Sequence, residues 1–375
     1  MLDAVDRFIR DLNHQRIDFM RDIKLDLAQM ICTLFKRTST EEKKQGPILV
    51  FRLDDKIGDG ITATGFLAEL KRHFPQNKLI VLAGPNSAFI YQQLAFMDEV
   101  FTVKKGLANS SDVYAKLKNT EFRFIINTSH LLSPQVVFLN SFLRAYRKLT
   151  FLNGTDTSFT DHVIYNKAVD HVTLRYQKIL NLLGISDVRL DYQLTLKPSD
   201  DTKKAEQAIT ELRDRNEKVV LLNSFSGARL RNLNRQTTID IVRGLLKAQP
   251  DLAVVSVGNR DDLVTVQKWI TEIREPRWLC FPEGTSLAFN FELAKHVDLI
   301  LTPDTSWVHV ASAYKKPVVA IFREDEAYEK NSLIWAPYKT KSRVIYAPFE
   351  ATRPFDINTV SPQRIVKLAL ELLQS

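Results

Sequence analysis

The stretch Asp298–Phe322, DLILTPDTSWVHVASAYKKPVVAIF, decides the fold. Leu299–Thr302 is a short apolar run suited to a buried strand, Pro317–Phe322 is another, and a helical stretch entered through small hydroxyl residues lies between them. A strand, a helix and a second strand of this length predict a crossover in a parallel sheet covered by helices on both faces. Outward from this unit the alternation continues. Upstream the pattern predicts a helix from about Lys204 to Arg215, a strand at Lys218–Asn223, a helix over Thr237–Ala248, a strand at Leu252–Val257, and helices over Asp262–Ile273 and Leu287–His296. Downstream, Pro362–Leu373 predicts a last helix packing back on the N-terminal domain.

A second series of the same kind precedes it. Ile48–Leu53 reads as a buried strand followed by a Gly-containing loop and a helix through Phe66, Leu67, Leu70 and Phe74. Lys78–Ala83, Glu99–Val103 and Phe122–Ile126 read as strands and Ala88–Phe96 as a helix, while a helix over His171–Leu183 ends at Gly184, a C-cap residue. The polar segment 195–203, TLKPSDDTK, reads as the interdomain linker. The expected architecture is α/β: two Rossmann-like domains, 46–195 and 196–375, facing a cleft, with a helical extension and linker over 1–45.

In that extension Val5, Phe8, Ile9, Leu12, Phe19, Met20, Ile23, Leu27, Met30, Ile31 and Leu34 recur at helical spacing. Such amphipathic helices either pack on the following domain or lie in a membrane surface. Arg7, Arg10, Arg16, Arg21, Lys24, Lys36 and Arg37 favour the membrane contact, and Asp6, Asp11, Asp18, Asp22 and Asp26 oppose it.

The 375 residues carry 52 Lys plus Arg against 44 Asp plus Glu, a formal charge of +8. This balance favours an anionic partner: nucleic acid, an anionic lipid surface or a phosphorylated substrate. Neither zinc-finger spacing nor an RNP-like aromatic motif nor an Arg-rich tract is present, so nucleic acid is not the expected partner. No apolar run reaches the roughly 18 residues that cross a bilayer. Asp3, Asp6 and Asp11 stand where a signal peptide would be apolar, so a cytoplasmic protein is expected. Cys32 and Cys280 are far apart and lack metal-ligand spacing, which predicts reduced thiols and no structural metal site.

Two Rossmann-like domains without a GxGxxG fingerprint argue against a dinucleotide oxidoreductase and place ligands at the C-terminal strand ends. Three loops there carry candidate chemistry. In Leu53–Gly60, LDDKIGDG, Gly58 and Gly60 permit tight turning, and Asp59 is either a helix N-cap or a carboxylate that removes a proton from an attacking hydroxyl. In Leu301–His309, LTPDTSWVH, the N–H groups of the first helical turn at Asp304, Thr305 and Ser306 suit a diphosphate. Asp304 is also a natural N-cap, and His309 is either a buried helix-face residue or a diphosphate contact. In Asn223–Asn232, NSFSGARLRN, Ser226 and Gly227 allow close backbone approach. Arg229 and Arg231 are either solvated or clamp a departing nucleoside diphosphate.

The order of these parts resembles the lipopolysaccharide heptosyltransferases, glycosyltransferase family nine. Phe51–Pro75, FRLDDKIGDGITATGFLAELKRHFP, is similar to that family's opening strand, Gly-Asp loop and helix. His171–Tyr176 through Leu183-Gly184-Ile185 is similar to its helix leading to Leu-Gly-Ile. Asp298–Phe322 is similar to its Asp-Thr-x-x-x-His signature, here Asp304, Thr305 and His309, with Pro317 opening the strand that follows.

The resemblance implies a GT-B fold and inverting, metal-independent transfer of heptose from an ADP-activated donor to an inner-core lipopolysaccharide acceptor; the same fold also suits a transferase that moves another nucleotide sugar to a surface polysaccharide or protein, or a nucleotide-binding relic without turnover. No cofactor beyond that donor is implied. By position Asp59 resembles the catalytic base, with Lys56, Gly58 and Gly60 on the acceptor side. Asp304, Thr305 and His309 resemble the donor-phosphate loop, Ser306 beside them and Ser226 on the Asn223–Asn232 loop count as further donor-binding candidates, and Arg231 falls where the family places a Lys. Asp261, in Gly258–Asp262, falls near an acidic nucleoside contact. The sequence departs from the family at Ser306-Trp307, where Gly commonly follows Asp-Thr, and in its long N-terminal extension.

Overall fold

Ile48–Arg52 (β1) and Leu79–Ala83 (β2) are buried at every position, as aliphatic strands flanked by parallel neighbours on both sides should be. The structure, a computed structural model, describes residues 23, 25–28, 30, 37–129, 132–151, 158–166, 168–227, 231–323, 331–347 and 356–374. Helix Ile57–His73 (α1) joins these two strands, and Pro85–Gln93 (α2) leads to Glu99–Thr102 (β3). Ser111–Leu117 (α3), Glu121–Asn127 (β4), Pro134–Phe142 (α4), Arg144–Thr150 (β5), Asp161–His162 (β6) and Val172–Leu182 (α5) follow. The sheet order is β3-β2-β1-β4-β5-β6, all parallel. Leu49, Phe51, Ile80, Leu82, Phe122, Val136 and Leu139 fill its core, each such side chain contributing roughly 1.5–3 kcal/mol by leaving water. Leu25 and Ala28 of the extension pack on this core, while Ile23, Leu27 and Met30 are exposed; the extension's Arg7, Arg10, Arg16, Arg21 and Lys24 lie outside the described residues. Gly184, at φ 80°, ends α5 as expected, and Ile185 N–H donates to Leu180 O at 2.9 Å.

A second sheet repeats the plan. Asp200–Arg213 (α6), Lys218–Asn223 (β7), Arg235–Ala248 (α7), Leu252–Val257 (β8), Arg260–Ile273 (α8) and Trp278–Cys280 (β9) come first. Leu287–His296 (α9), Leu299–Pro303 (β10), Ser306–Tyr314 (α10), Val318–Arg323 (β11), Asn331–Ile334 (α11), Ser342–Ala347 (β12) and Pro362–Leu373 (α12) complete it. The order β12-β11-β10-β7-β8-β9 is again parallel throughout.

The boundaries differ from the expected ones in two places. The linker is shorter than 195–203, because Ser199 accepts from Thr202 N–H and Thr202 Oγ1 reciprocates to Ser199 N–H, a capping box that starts α6 at Asp200. The two compact units are discontinuous: Met1–Lys56, Phe66–Tyr165 and Arg175–Val188 form the first, and Ile57–Gly65, Asn166–Leu174 and Arg189–Ser375 the second. The last helix buries Ile365, Ala369, Leu372 and Leu373 in the core of the second unit, beside Val220, Leu222 and Ile345. Gly244 of α7 allows that packing, since a β-carbon there would lie 2.8 Å from Val366 Cγ2.

Candidate functional site

β7 and β10 are neighbours at the centre of the second sheet, and the chain leaves them toward opposite edges. Their C-terminal loops therefore part at a topological switch point, the place where open α/β sheets leave room for a ligand. One side chain ties these loops together. Asn223, the last residue of β7 and 2 % exposed, donates through Nδ2 to Phe225 O at 2.9 Å, Thr302 Oγ1 at 3.1 Å and Thr305 Oγ1 at 3.2 Å. Thr302 and Thr305 hydroxyls are themselves 2.9 Å apart. The N-terminus of α10 is thus pinned to the ends of both central strands.

Thr305, not Asp304, is the N-cap of α10, its Oγ1 accepting from Trp307 N–H at 3.3 Å. Asp304 is held one residue earlier, its N–H donating to Ile321 O at 2.9 Å, and that leaves its carboxylate for Arg231. Arg231 Nη1 donates to Asp304 Oδ2 at 2.8 Å and reaches Asp304 O at 3.4 Å. With side chains 32 % and 15 % exposed, the pair lies at the surface of the loop, where a guanidinium can exchange a carboxylate for a phosphate. Ser226 donates from both N and Oγ to Asn232 Oδ1, at 2.7 and 3.1 Å, which folds the β7 loop on itself. Arg229 lies outside the described residues.

Ser306 opens α10 and Trp307 turns into the core, 9 % exposed and edge-on to Phe291 at 6.2 Å. The bulky residue of the departing Ser-Trp pair therefore does not enter the loop region, whereas Ser306 lies against Gly58. A β-carbon on Gly58 would stand 3.4 Å from Ser306 Cα and 3.1 Å from His309 Cδ2. This contact brings the first turn of α1 to the first turns of α10.

Asp59 belongs to that turn. It is neither the N-cap, a position held by Lys56 without a side-chain bond, nor part of an open loop. It is the third helical residue, buried, with its main-chain oxygen accepting from Thr62 Oγ1 at 2.9 Å. An acidic residue in a first turn complements the helix dipole, worth about 0.5 kcal/mol. Gly58 and Gly60 are helical rather than turn residues; among the described glycines only Gly106 and Gly184 have positive φ. Lys56 is exposed beside them.

His309 is buried at 4 % exposure, ringed by Tyr192 at 6.1 Å and Trp335 at 5.8 Å. Burial, with a smaller electrostatic contribution from nearby His171, pushes its pKa down to about 3, so the ring is neutral near pH 7. Asp261 is not gathered into these contacts. It stands exposed in the first turn of α8, where Asn259 and Asp262 form the capping box instead. Burial and the neighbouring Asp261 raise the Asp262 pKa.

Asn223, Tyr192 and Tyr338, which stacks on Tyr192 at 5.3 Å, are the contributors that sequence reasoning passed over. Asn223 is visible as a polar residue closing the apolar run 219–222, but its Thr partners lie far along the chain. Among the described residues, the histidine and carboxylates close enough to share an ion are Glu206, Glu292 and His296. They lie on α6 and α9, at the end of β10 opposite to Asp304.

A model of glycosyltransferase family 9 (heptosyltransferase) matches residues 115–363, which contain the whole β7 and β10 loop system. The chain belongs to this family. Within it, the chain is 21% identical over 305 residues to the lipopolysaccharide core heptosyltransferase OpsX of Haemophilus influenzae, covering 77% of this chain and 81% of that one. Its fold is similar to that of a glycosyl transferase family 9 structure from Veillonella parvula, at TM-score 0.70 and 18% identity, over 90% of this chain and 99% of the other. It is also similar to the Escherichia coli heptosyltransferase WaaC with ADP, at TM-score 0.65 and 14% identity, over 87% and 99%. As a glycosyltransferase of family 9, the protein carries its Asp-Thr signature at the switch-point loop of the second sheet. Among the described residues no helix is long and apolar enough to cross a membrane.

Proposed function

We propose that this heptosyltransferase moves heptose from an ADP-activated donor to a hydroxyl of an inner-core lipopolysaccharide acceptor, with inversion and without a metal. The observation that carries the reading is the contact of Gly58 with Ser306 and His309, which sets the Asp59 turn beside the helix N-terminus at Thr305.

Asp59 takes the proton of the acceptor hydroxyl as its oxygen attacks the anomeric carbon. The bond from that carbon to the β-phosphate oxygen breaks, and ADP leaves from the opposite face. Charge growing on the diphosphate is met by the N–H groups of the first turn of α10 and by Arg231, which releases Asp304 to receive it. That pairing of a helix end with a guanidinium does the work for which other transferases recruit a divalent ion.

Several observations support the substrate assignment. Similar structures are those of a heptosyltransferase with ADP and with ADP-2-deoxy-2-fluoro heptose, and a relative is a lipopolysaccharide core heptosyltransferase. The formal charge of +8 suits an anionic glycolipid, and it also suits peripheral contact with the cytoplasmic face of the inner membrane through the extension.

Replacing Asp59 by Ala is expected to lower turnover by about 10²–10⁴-fold while ADP still raises the melting temperature. Wild-type turnover in that variant refutes the base assignment. Stabilisation by UDP or GDP in place of ADP refutes the donor.

A further inference from the structure

We propose that Gly58 is a positioning residue: lacking a side chain, it lets the Asp59 turn sit directly on the His309 ring, and His309 serves as an aromatic shelf for that turn rather than as a phosphate ligand. The inference rests on the reading of Asp59 as the base and adds what holds that base in place.

Glycine inside a helix costs about 1 kcal/mol relative to Ala, and Gly58 has no positive φ to justify it. The compensating gain is close approach. A methyl group at Gly58 would meet His309 Cδ2 at 3.1 Å and Ser306 Cα at 3.4 Å, so ring and turn would have to separate by a few tenths of an ångström.

Gly65 repeats the device two turns later on the same face of α1. Its missing β-carbon would stand 2.5 Å from Leu190 O and 2.9 Å from Asp191 O. Between the two glycines, Thr64 Oγ1 accepts from Gln193 N–H at 2.8 Å. The first turns of α1 are thereby fixed at one end to α10 and at the other to segment 190–193.

Tyr192 in that segment connects the two ends. Its ring meets His309 edge-on at 6.1 Å and stacks on Tyr338 at 5.3 Å, which in turn stacks on His171 at 5.4 Å. Thr173 N–H donates to His171 Nδ1 at 3.2 Å, so Nε2 carries the proton and donates to Ala336 O at 3.2 Å. The rings are thus held in order from residue 171 through 338 and 192 to 309. His309 Nδ1, buried, has no hydrogen-bond partner, so what fixes the imidazole is packing from Tyr192, Trp335 and Gly58.

Four proteins test the proposal: wild type, Gly58→Ala, His309→Ala and Gly58→Ala/His309→Ala, each assayed for kcat, donor KM and melting temperature. Gly58→Ala is expected to lower kcat by about tenfold or more, because a base displaced by a fraction of an ångström loses its line to the hydroxyl, while donor KM stays within about twofold. His309→Ala should itself lower kcat, and because the added methyl no longer meets a ring, Gly58→Ala should cost much less in the His309→Ala background than in wild type. A kcat within about twofold of wild type in Gly58→Ala, or losses that simply multiply in the double variant, overturns the proposal. The melting temperatures read the same coupling without chemistry. Coupled stabilities alongside an active Asp59→Ala variant overturn the base reading, and with it the catalytic meaning of the seat. Uncoupled stabilities overturn the seat itself.

Discussion

Two strands, one in each sheet, end on a buried asparagine that does the same local job and a different distant one. Asn127 closes β4 and donates to Ser129 O at 3.2 Å and to Thr150 Oγ1 on β5 at 3.1 Å. Asn223 closes β7 and donates to the main chain two residues on and to Thr302 on β10, but it also reaches Thr305, the cap of α10. The first sheet's staple stops at the neighbouring strand. The second sheet's staple continues into a helix N-terminus, the part of the fold that can receive an anion. The surrounding charges follow the same division. At the first switch point Arg52 and Asp54 are sealed together at 2.9 Å, with the arginine side chain 3 % exposed, whereas Arg231 and Asp304 at the second stand partly open. The two units share a topology, then, and differ in whether the polar end of the sheet is closed by the chain or left for a ligand.

The sharpest break of this comparison is to truncate both asparagines. Asn127→Ala and Asn223→Ala each remove two or three buried hydrogen bonds, and each is expected to cost about 2–4 kcal/mol in urea unfolding. Only Asn223→Ala should also weaken ADP, since only it loosens the cap at Thr305. Equal loss of ADP affinity in both variants would end the distinction.

A smaller effect is expected at Arg231. Arg231→Ala should weaken ADP binding by about ten- to a hundredfold, the worth of a hydrogen bond to a charged group, and change unfolding stability by under about 1 kcal/mol because the pair is part-exposed. Calorimetry and urea melts check the two halves. A large stability loss with unchanged ADP affinity would make the Arg231–Asp304 pair a structural clasp like Arg52–Asp54.

Much of this was legible in the letters, and most of the exceptions trace to partners that the sequence does not bring near. β7, β8, α9 and α12 begin and end where the pattern places them, because each is an apolar or amphipathic run cut off by polar residues. β5, RAYRKLT, was hidden by its cations, which are satisfied by residues that sequence cannot bring near. Arg147 pairs with Asp161 at 2.6 Å, and the fully buried Lys148 donates to Asn140 O. β9 has only three residues, too few for any period to show. In the site, the loops were legible as strand ends followed by small and charged residues. Their connections were not, since Arg231 and Asp304 lie 73 positions apart. Asp304 and Thr305 are both good capping residues, and only the main-chain bond from Asp304 to Ile321 decides between them. Gly58 was read as a turn residue because its true reason, the His309 ring, is 251 residues away in the chain.

The last effect concerns acid. The polar centre of the first unit is a paired charge, while that of the second includes an imidazole kept neutral by burial, its pKa lowered to about 3 from 6.5. Below about pH 6.5 the unfolded chain takes up a proton that the folded ring refuses, so unfolding binds protons and stability falls as pH drops from 6.5 toward 3. Above 6.5 both states are neutral at this ring and its contribution is complete. The slope attributable to one such group is about 1.4 kcal/mol per pH unit. Comparing wild type with His309→Asn by urea melts across pH 7 to 5 isolates it, since every other titrating group is common to both proteins. The wild type should lose stability faster over that window, and the two should run parallel above pH 7. Parallel behaviour throughout would mean that the ring is protonated or hydrated in solution. The second unit's centre would then be open to charge, and His309 would again be a candidate partner for phosphate.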